Sequence, residues 1–392
     1  MDVETLAALR TAEGQELLAK AVTARDDDPF AVGTRLRRDY PVDLVAAALT
    51  QAELRHRARD KFAADDAARM YFTVEGLEQA TRARVAAHRS RRYSEHSGPV
   101  ADLCCGIGGD LIALSRAGLT VTGVDADPLT AAVAAANVEA LQLGAHIECA
   151  DATSLNRHPF AAVLCDPARR TERGRVFNLD AYRPPWSFVE QLLTGTACVK
   201  VAPGIPHERV PRGVEAEWVS DAGEVKEAAL WSGRLRRDGV IRRATLLPSG
   251  VSVTDADADA APPAGPVGRW LIEPDGAVIR AGLVTAVTAQ TGGWLMDPHI
   301  AYVSCDSEPR TGLGRTYEVT DRLPYDIKRL RGYVREHHIG TLTIKKRGVD
   351  VDPAALRRQL RPSGHNDATF IITRVANRAT VLVATATPAA ER

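Results

Sequence analysis

The side chains able to do chemistry gather in one stretch of the middle of this sequence. VADLCCGIGGDL occupies residues 100–111, GVDADP follows at 123–128, CADA at 149–152 and DPARR at 166–170. An apolar strand that runs into a glycine turn and then a helix brings unpaired backbone N–H groups to one spot. Gly106 and Gly108 let that backbone turn tightly and approach a ligand with no Cβ in the way. The next strand ends about 20 residues on in Asp125, where a carboxylate would take both hydroxyls of a ribose.

A dinucleotide and S-adenosylmethionine compete for this geometry, and local residues discriminate between them. The dinucleotide fingerprint asks for a small residue three places after the second glycine, for close helix–strand packing under a pyrophosphate. Leu111 stands there. Asp102 at the strand end would repel a pyrophosphate, yet it can accept hydrogen bonds from the cationic amine of a methionine moiety. The methyl donor is therefore the expected cofactor, held by Asp102, Gly106, Gly108 and Asp125, with the neighbouring backbone of Cys104, Ala126 and Ala152. Asp151 is read as accepting from an adenine amine, the bland alternative being a helix N-cap. Asn137 reads as a buried or capping amide.

Methyl transfer from a sulfonium is an in-line displacement, so the protein must chiefly align the acceptor and remove its proton. A carboxylate and a backbone carbonyl at a rigid X-Pro turn could accept both N–H bonds of an exocyclic amine, which makes Asp166 and Pro167 the candidate catalytic edge. Arg169 and Arg170 could seat a substrate phosphate or form surface ion pairs. Trp186, expected in a long loop, could stack on a flipped base or pack in the core, and Tyr71 or Phe72 could stack instead.

The elements that must position these residues follow from periodicity. Residues 1–97 read as a helical domain: Leu44, Val45, Ala48, Leu49 and Ala52 recur at helical spacing, and Phe62, Ala67, Met70 and Phe72 continue the stripe. One further helix is expected from the N-cap Thr73 through Leu77, Ala80, Val85 and Ala86 to Arg89, Arg91 and Arg92. Residues 98–254 read as an α/β Rossmann-like domain. Its five strand candidates are Val100–Cys105, Val121–Asp125, His146–Ala150, Ala161–Cys165 and Ala197–Ala202, with helices at Asp110–Ala117 and Pro128–Leu143. Ala216–Ser220 and Ala244–Leu247 are expected to close the sheet as an antiparallel pair. DADADAAPPAGP, residues 255–266, reads as a linker. Residues 267–392 read as an α+β domain with a helix at Pro353–Leu360 and strands at Trp270–Ile272, Leu342–Ile344, Thr369–Thr373 and Thr380–Ala384.

A chain of 392 residues, 45% hydrophobic, can bury a core in more than one domain. No apolar run approaches the length of a membrane span and the first residues lack a signal-peptide pattern, so a cytoplasmic protein without a membrane partner is expected. The six cysteines form no CxxC pair and no zinc spacing, and no metal is expected. Net charge is zero. Residues 55–92 and 321–392 nevertheless each carry about twice as many basic as acidic side chains. Either end could hold a polyanion or present an ordinary solvated basic face.

Taken together, DLCCGIGGD, GVDADP, CADA and DPARR resemble the class I methyltransferases over about residues 98–248, and DLCCGIGG is similar to the glycine loop of the cap-guanine-N2 methyltransferases. The resemblance implies Asp102, Gly106 and Gly108 as donor loop, Asp125 as ribose acid, Asp151 as adenine acid, and Asp166-Pro167 as the start of the acceptor motif. Amino-directed members follow that start with proline and an aromatic residue, where this chain has Ala168 and Arg169. LPYDIKRLRGYV, LTIKKRGVDVDP and ATFIITRV resemble a THUMP-like domain, so the chain is similar to the actinobacterial THUMP-domain-like class I methyltransferases. True THUMP domains hold RNA, which implies an RNA substrate, tRNA among the options, with Lys328, Arg331, Lys345, Lys346 and Arg347 on its phosphates. YVSCDSEP, residues 302–309, looks like the nucleophile segment of uracil-C5 methyltransferases. Cys305, however, lies past the linker with no base evident beside it. The sequence thus supports methylation of an RNA base amine such as guanine N2, against a small-molecule or protein methyltransferase or a silent RNA-binding protein. It leaves the oligomeric state open.

Overall fold

The computed structural model of the chain describes residues 1–169, 181–258 and 263–387. They form two compact units, Met1–Val214 with Ala228–Arg237, and Glu215–Glu227 with Asp238–Arg392.

The first unit opens with seven helices: Val3–Leu9, Ala12–Thr23, Pro29–Leu36, Val42–Ala58, Ala64–Arg69, Val74–Gln79 and Ala83–Ser94. Leu9, Leu17, Val32, Val45 and Ala48 make one core among them. A second core places Phe62, Met70, Phe72 and Leu77 against Ile107, Ile112 and Val133, which belong to the glycine loop and the two helices flanking the sheet. The single helix expected from Thr73 to Arg92 is two helices. Thr73 caps the first by accepting from Gly76 N at 2.9 Å. Lys61 Nζ then collects the carbonyls of Leu77, Glu78 and Ala80 at its end. The break sets Thr81 beside the helix that follows the glycine loop, where its hydroxyl donates to Asp110 Oδ2 at 2.7 Å.

Five parallel strands follow: β1 Val100–Leu103, β2 Val121–Asp125, β3 His146–Cys149, β4 Ala162–Cys165 and β5 Ala197–Val201. They lie in the order β3-β2-β1-β4-β5, with Val100 opposite both Val121 and Ala162. The order reverses between β1 and β4, and in such sheets the crevice outside the carboxyl ends at that point takes the ligand. Of the next strands, β6 spans Glu215–Asp221 and β7 Glu224–Trp231; the Ala228–Trp231 part of β7 runs antiparallel to β5. The helices Gly109–Arg116 and Pro128–Ala140 stand where expected, the second with Pro128 in its first turn and Asp127 accepting from Thr130 N at 2.8 Å.

In the second unit β6 pairs parallel with β8, Arg242–Leu247, contrary to the antiparallel closure expected from sequence. The intervening β7 carries the chain back, and the antiparallel partner of β8 is β9, Val251–Thr254, whose four residues are too short a run to stand out. Asp255 Oδ1 accepts from Ile241 N and Arg242 N at 2.9 and 2.8 Å, which ties the start of the proline-bearing stretch to β8. A seven-stranded sheet follows, made of β10 Trp270–Pro274, β11 Trp294–Leu295, β12 Val303–Cys305, β13 Gly314–Pro324, β14 Ile339–Lys346, β15 Asn366–Val375 and β16 Arg378–Ala386. Its order is β11-β12-β10-β13-β16-β15-β14, antiparallel except for β14 with β15. Leu330 and Val334 of the helix Ile327–Glu336 pack with Leu356 and Leu360 of Pro353–Leu360 over Phe370, Ile372 and Val381.

Candidate functional site

The carboxyl ends of β1, β2, β4 and β5 gather the residues singled out from the sequence. Gly106 and Gly108 both have positive φ, 57° and 91°, and a Cβ on either would meet nothing within 4 Å. Cys104 is also left-handed, at φ 56°, a conformation costing a residue with a Cβ about 1–2 kcal/mol. Asp125 at the end of β2 steadies the loop: its Oδ2 accepts from Gly106 N at 3.0 Å and its Oδ1 from Asp127 N at 3.1 Å. A carboxylate so held still has lone-pair capacity for a hydroxyl. Burial raises the Asp125 carboxyl above its ordinary range, opposed by the N–H groups of Asp127 and Gly106.

Asp102 on β1 is 1% exposed, and its Oδ2 accepts no hydrogen bond among the described residues. Burial first, then the charge of Asp110, pushes its carboxyl well above the usual range. An acceptor left unsatisfied at the mouth of a glycine turn fits a cationic donor group, which would satisfy it. The residues present therefore suit S-adenosylmethionine: Asp102 for its amine, the backbone of Gly106 and Gly108 for close approach, and Asp125 for its ribose. Such a donor supplies an electrophilic methyl on a sulfonium.

Asp151 is exposed and caps the short turn Ala152–Ser154, accepting from Thr153 N and Oγ1 at 2.8 and 2.7 Å. Those bonds, the hydroxyl's first, lower its carboxyl. The capping role is thus present in the structure. Ala126 follows directly on β2, and Ala150 N donates to Asp125 O at 3.0 Å, which joins the ends of β2 and β3. Asn137 is fully buried: its Oδ1 accepts from Tyr71 N at 2.7 Å, and its Nδ2 donates to Tyr71 O and Ile107 O at 3.1 and 2.9 Å.

Asp166 follows β4 directly, its N–H donating to Leu103 O at 3.1 Å. Ala168–Arg169 forms a short antiparallel ladder with Tyr182–Arg183, while Arg170 lies outside the described residues. Trp186 opens the helix Trp186–Leu192 and is not in a loop. Its ring meets Tyr182 edge-on at 5.7 Å and its Nε1 donates to Glu190 Oε1 at 3.0 Å. Tyr71 and Phe72, offered as alternative stacking residues, are core side chains. The Tyr71 hydroxyl accepts from Gln15 Nε2 at 2.9 Å, and Phe72 packs on Phe62 at 5.9 Å.

Sequence reasoning missed the group behind Asp166. Lys200 of β5 ion-pairs with Asp166 and with Asp110, and Asp110 pairs with Arg89. Burial opposes ionisation of Asp110, but Arg89 and Lys200 outweigh it and hold the carboxyl below the usual range. The signal was available: a lysine inside the apolar run ACVKVA must find acid partners, because ammonium groups are almost never buried alone. Arg89 was counted in a basic face, yet it is 2% exposed, and Arg92 is buried over the Trp231 ring at 4.2 Å. These two arginines therefore serve the core, while Arg57, Arg59, Arg69, Arg84 and Arg91 remain exposed.

In the second unit Cys305 is buried and its Sγ donates to Ser307 O at 3.2 Å; burial raises its thiol, which argues against a nucleophile. Lys345 and Arg347 both turn to Glu273, and Arg331 Nε donates to Gln359 O at 3.1 Å. Lys328 and Lys346 are exposed. A cavity of about 580 Å³ in the helical region is rimmed by Asp2, Asp43 and Glu75, acids that do not suit a polyanion.

Residues 100–174 match the methyltransferase domain family, 314–386 the THUMP domain-like family and 2–58 a domain of unknown function. Over 311 residues the chain is 41% identical to an uncharacterised S-adenosylmethionine-dependent methyltransferase of Mycobacterium tuberculosis, found in strains CDC 1551 and H37Rv; the match covers 78% of this chain and 84% of the relative. The chain belongs to the S-adenosylmethionine-dependent methyltransferases. A crystal structure of a candidate methyltransferase from Porphyromonas gingivalis W83 shares the fold of this methyltransferase, with a TM-score of 0.78 over 95% of this chain and 99% of its own at 22% identity. The C-terminal part of the present chain carries the THUMP-like domain, at residues 314–386, and among the described residues no helix is long and apolar enough to cross a membrane.

Proposed function

We propose that this methyltransferase acts on RNA, transferring the methyl group in line to an exocyclic base amine such as guanine N2, with Asp166 and the Pro167 carbonyl as the edge that receives the acceptor. The observation that carries this reading is the position of Asp166. It follows β4 at the carboxyl edge of the sheet, beside β1 with its glycine turn and with Asp102, whose Oδ2 accepts no hydrogen bond among the described residues. A part-exposed carboxylate there can hydrogen-bond an acceptor amine and localise its lone pair. The THUMP-like match and the exposed Lys328 and Lys346 support RNA as the polyanion. Asp102, Cys104, Gly106, Gly108, Asp125, Ala126, Asp151 and Ala152 are assigned to the donor. Arg169 and Arg170 are assigned to a substrate phosphate, and Trp186 to the acceptor pocket.

Ala168 and the engaged indole of Trp186 favour a second reading, in which the acceptor is not a nucleobase amine. The test is calorimetry of S-adenosylmethionine and of NAD with the wild type and Asp125→Ala, followed by mass spectrometry of RNA nucleosides after incubation with labelled donor. The expected outcome is donor binding that weakens at least about tenfold in the variant, no NAD binding, and label in one nucleoside. Donor binding with label only in small molecules or protein would move the acceptor to the second reading.

A further inference from the structure

Lys200 stands within the wholly buried strand β5, in the run Ala197–Val201. Its Nζ donates to Thr81 Oγ1 at 2.5 Å and to Asp110 Oδ2 at 3.2 Å, and closes on Asp166 Oδ2. All three acceptors lie among the described residues, and two of them are carboxylates that favour a charged ammonium. Asp110 is fixed in turn by Arg89 and by the Thr81 hydroxyl. The side chains of Lys200 and Asp110 are 8% and 9% exposed and that of Asp166 is 41% exposed, so one end of the ion pair is locked in the core while the other reaches the opening.

We propose that Lys200 is a positioning residue for methyl transfer: anchored by Asp110 and Thr81, it holds the Asp166 carboxylate by one oxygen and so presents the other lone pairs to the acceptor in a fixed direction. The inference rests on the reading of Asp166 as the acceptor edge. A part-exposed aspartate otherwise samples several rotamers, and a misplacement of about 1 Å in an aligned displacement can cost on the order of 100-fold in rate. Buried and tied to Asp110 and Thr81, the ammonium acts through Asp166. Helix, strand and loop meet here: Asp110 sits in the first turn of the helix after the glycine loop, so the acceptor carboxylate is referenced to the same element that shapes the donor site.

The test combines kinetics and crystallography on the full chain. In RNA labelling with S-adenosylmethionine, Lys200→Met is expected to lower kcat about 100-fold, with donor affinity by calorimetry within about threefold of wild type and Lys200→Arg recovering most of the rate. The double variant Lys200→Met/Asp166→Asn should be no slower than Asp166→Asn alone, because the two residues act as one unit. Should Lys200→Met fail to fold, Lys200→Gln keeps donors for Thr81 and Asp110 and is expected to show the same loss. Fully additive losses, or a crystal structure of the folded variant with Asp166 in its wild-type rotamer, would overturn the proposal. If the wild type labels no RNA, the RNA reading falls, and the rotamer of Asp166 in the variant crystal still decides for or against Lys200.

Discussion

Asp102 and Asn137 are both buried polar residues, and they make opposite predictions. Asn137 is satisfied on every side, and its amide joins the Tyr71 backbone to Ile107 of the glycine loop. Asn137→Leu strands one N–H and two carbonyls and is expected to cost about 2–4 kcal/mol by chemical denaturation. Asp102 Oδ2 accepts no hydrogen bond among the described residues, and burial raises the carboxyl above 3.8, the ordinary value. The folded state therefore keeps a proton that the unfolded chain has already lost. Stability of the donor-free protein should fall as pH rises from 3.8 towards the raised value. Asp102→Asn should remove that dependence and raise the melting temperature at neutral pH, while weakening S-adenosylmethionine by about 10- to 100-fold. The wild-type donor affinity should climb with pH, since a cationic amine favours the ionised carboxylate, and the variant's should not. Calorimetry at several pH values checks both signs.

Among the elements, the basic helix Ile327–Glu336 and the strand β14 carry the charges read as an RNA surface, but those charges differ in what they do. Lys345 is half-buried over the Tyr317 ring at 5.6 Å. Burial lowers its ammonium, and the bonds to Glu273 and Tyr317 outweigh that and raise it. It is a structural cation first. Lys328 and Lys346 are exposed. Reversing both to Glu should weaken RNA binding at least about tenfold and lower the salt slope by about two, if each neutralises one phosphate. Filter binding across a salt series measures both, and an unchanged slope would place the phosphate contacts elsewhere. Lys345→Ala should instead lower the melting temperature. The break between Val74–Gln79 and Ala83–Ser94 is a second case in which an element's ends matter more than its face. Without it, Thr81 would lie in a helix interior and not against Asp110.

At the scale of the whole molecule, a net charge of zero means that long-range attraction cannot draw a polyanion to the chain as a whole. Any RNA affinity must come from local patches, so it should fall steeply, by a factor of about ten or more, between low and physiological salt. Donor affinity, set inside the first unit by buried groups, should hardly change over the same series. Titrating both ligands across salt separates the two, and RNA binding indifferent to salt would count against the basic-patch reading.

The strands, the glycine turn, the carboxylate that ends β2 and the donor were legible in the sequence because they depend on local order: short apolar runs between helical stretches, a glycine where φ must be positive, a carboxylate a fixed distance along the chain. The THUMP-like segments were legible as continuous motifs. What the sequence left open came from contacts between residues far apart in the chain. Whether Tyr71, Phe72, Arg89 and Cys305 face a ligand or a core depends on which elements pack together, and packing buries all four. The parallel pairing of β6 with β8 follows from β7 crossing between them in the chain. Lys200, 34 residues from Asp166, 90 from Asp110 and 119 from Thr81, meets all three only after the helices and the sheet close on each other. Sequence could say that a lysine in an apolar strand needs acids, but only the tertiary structure decided which ones.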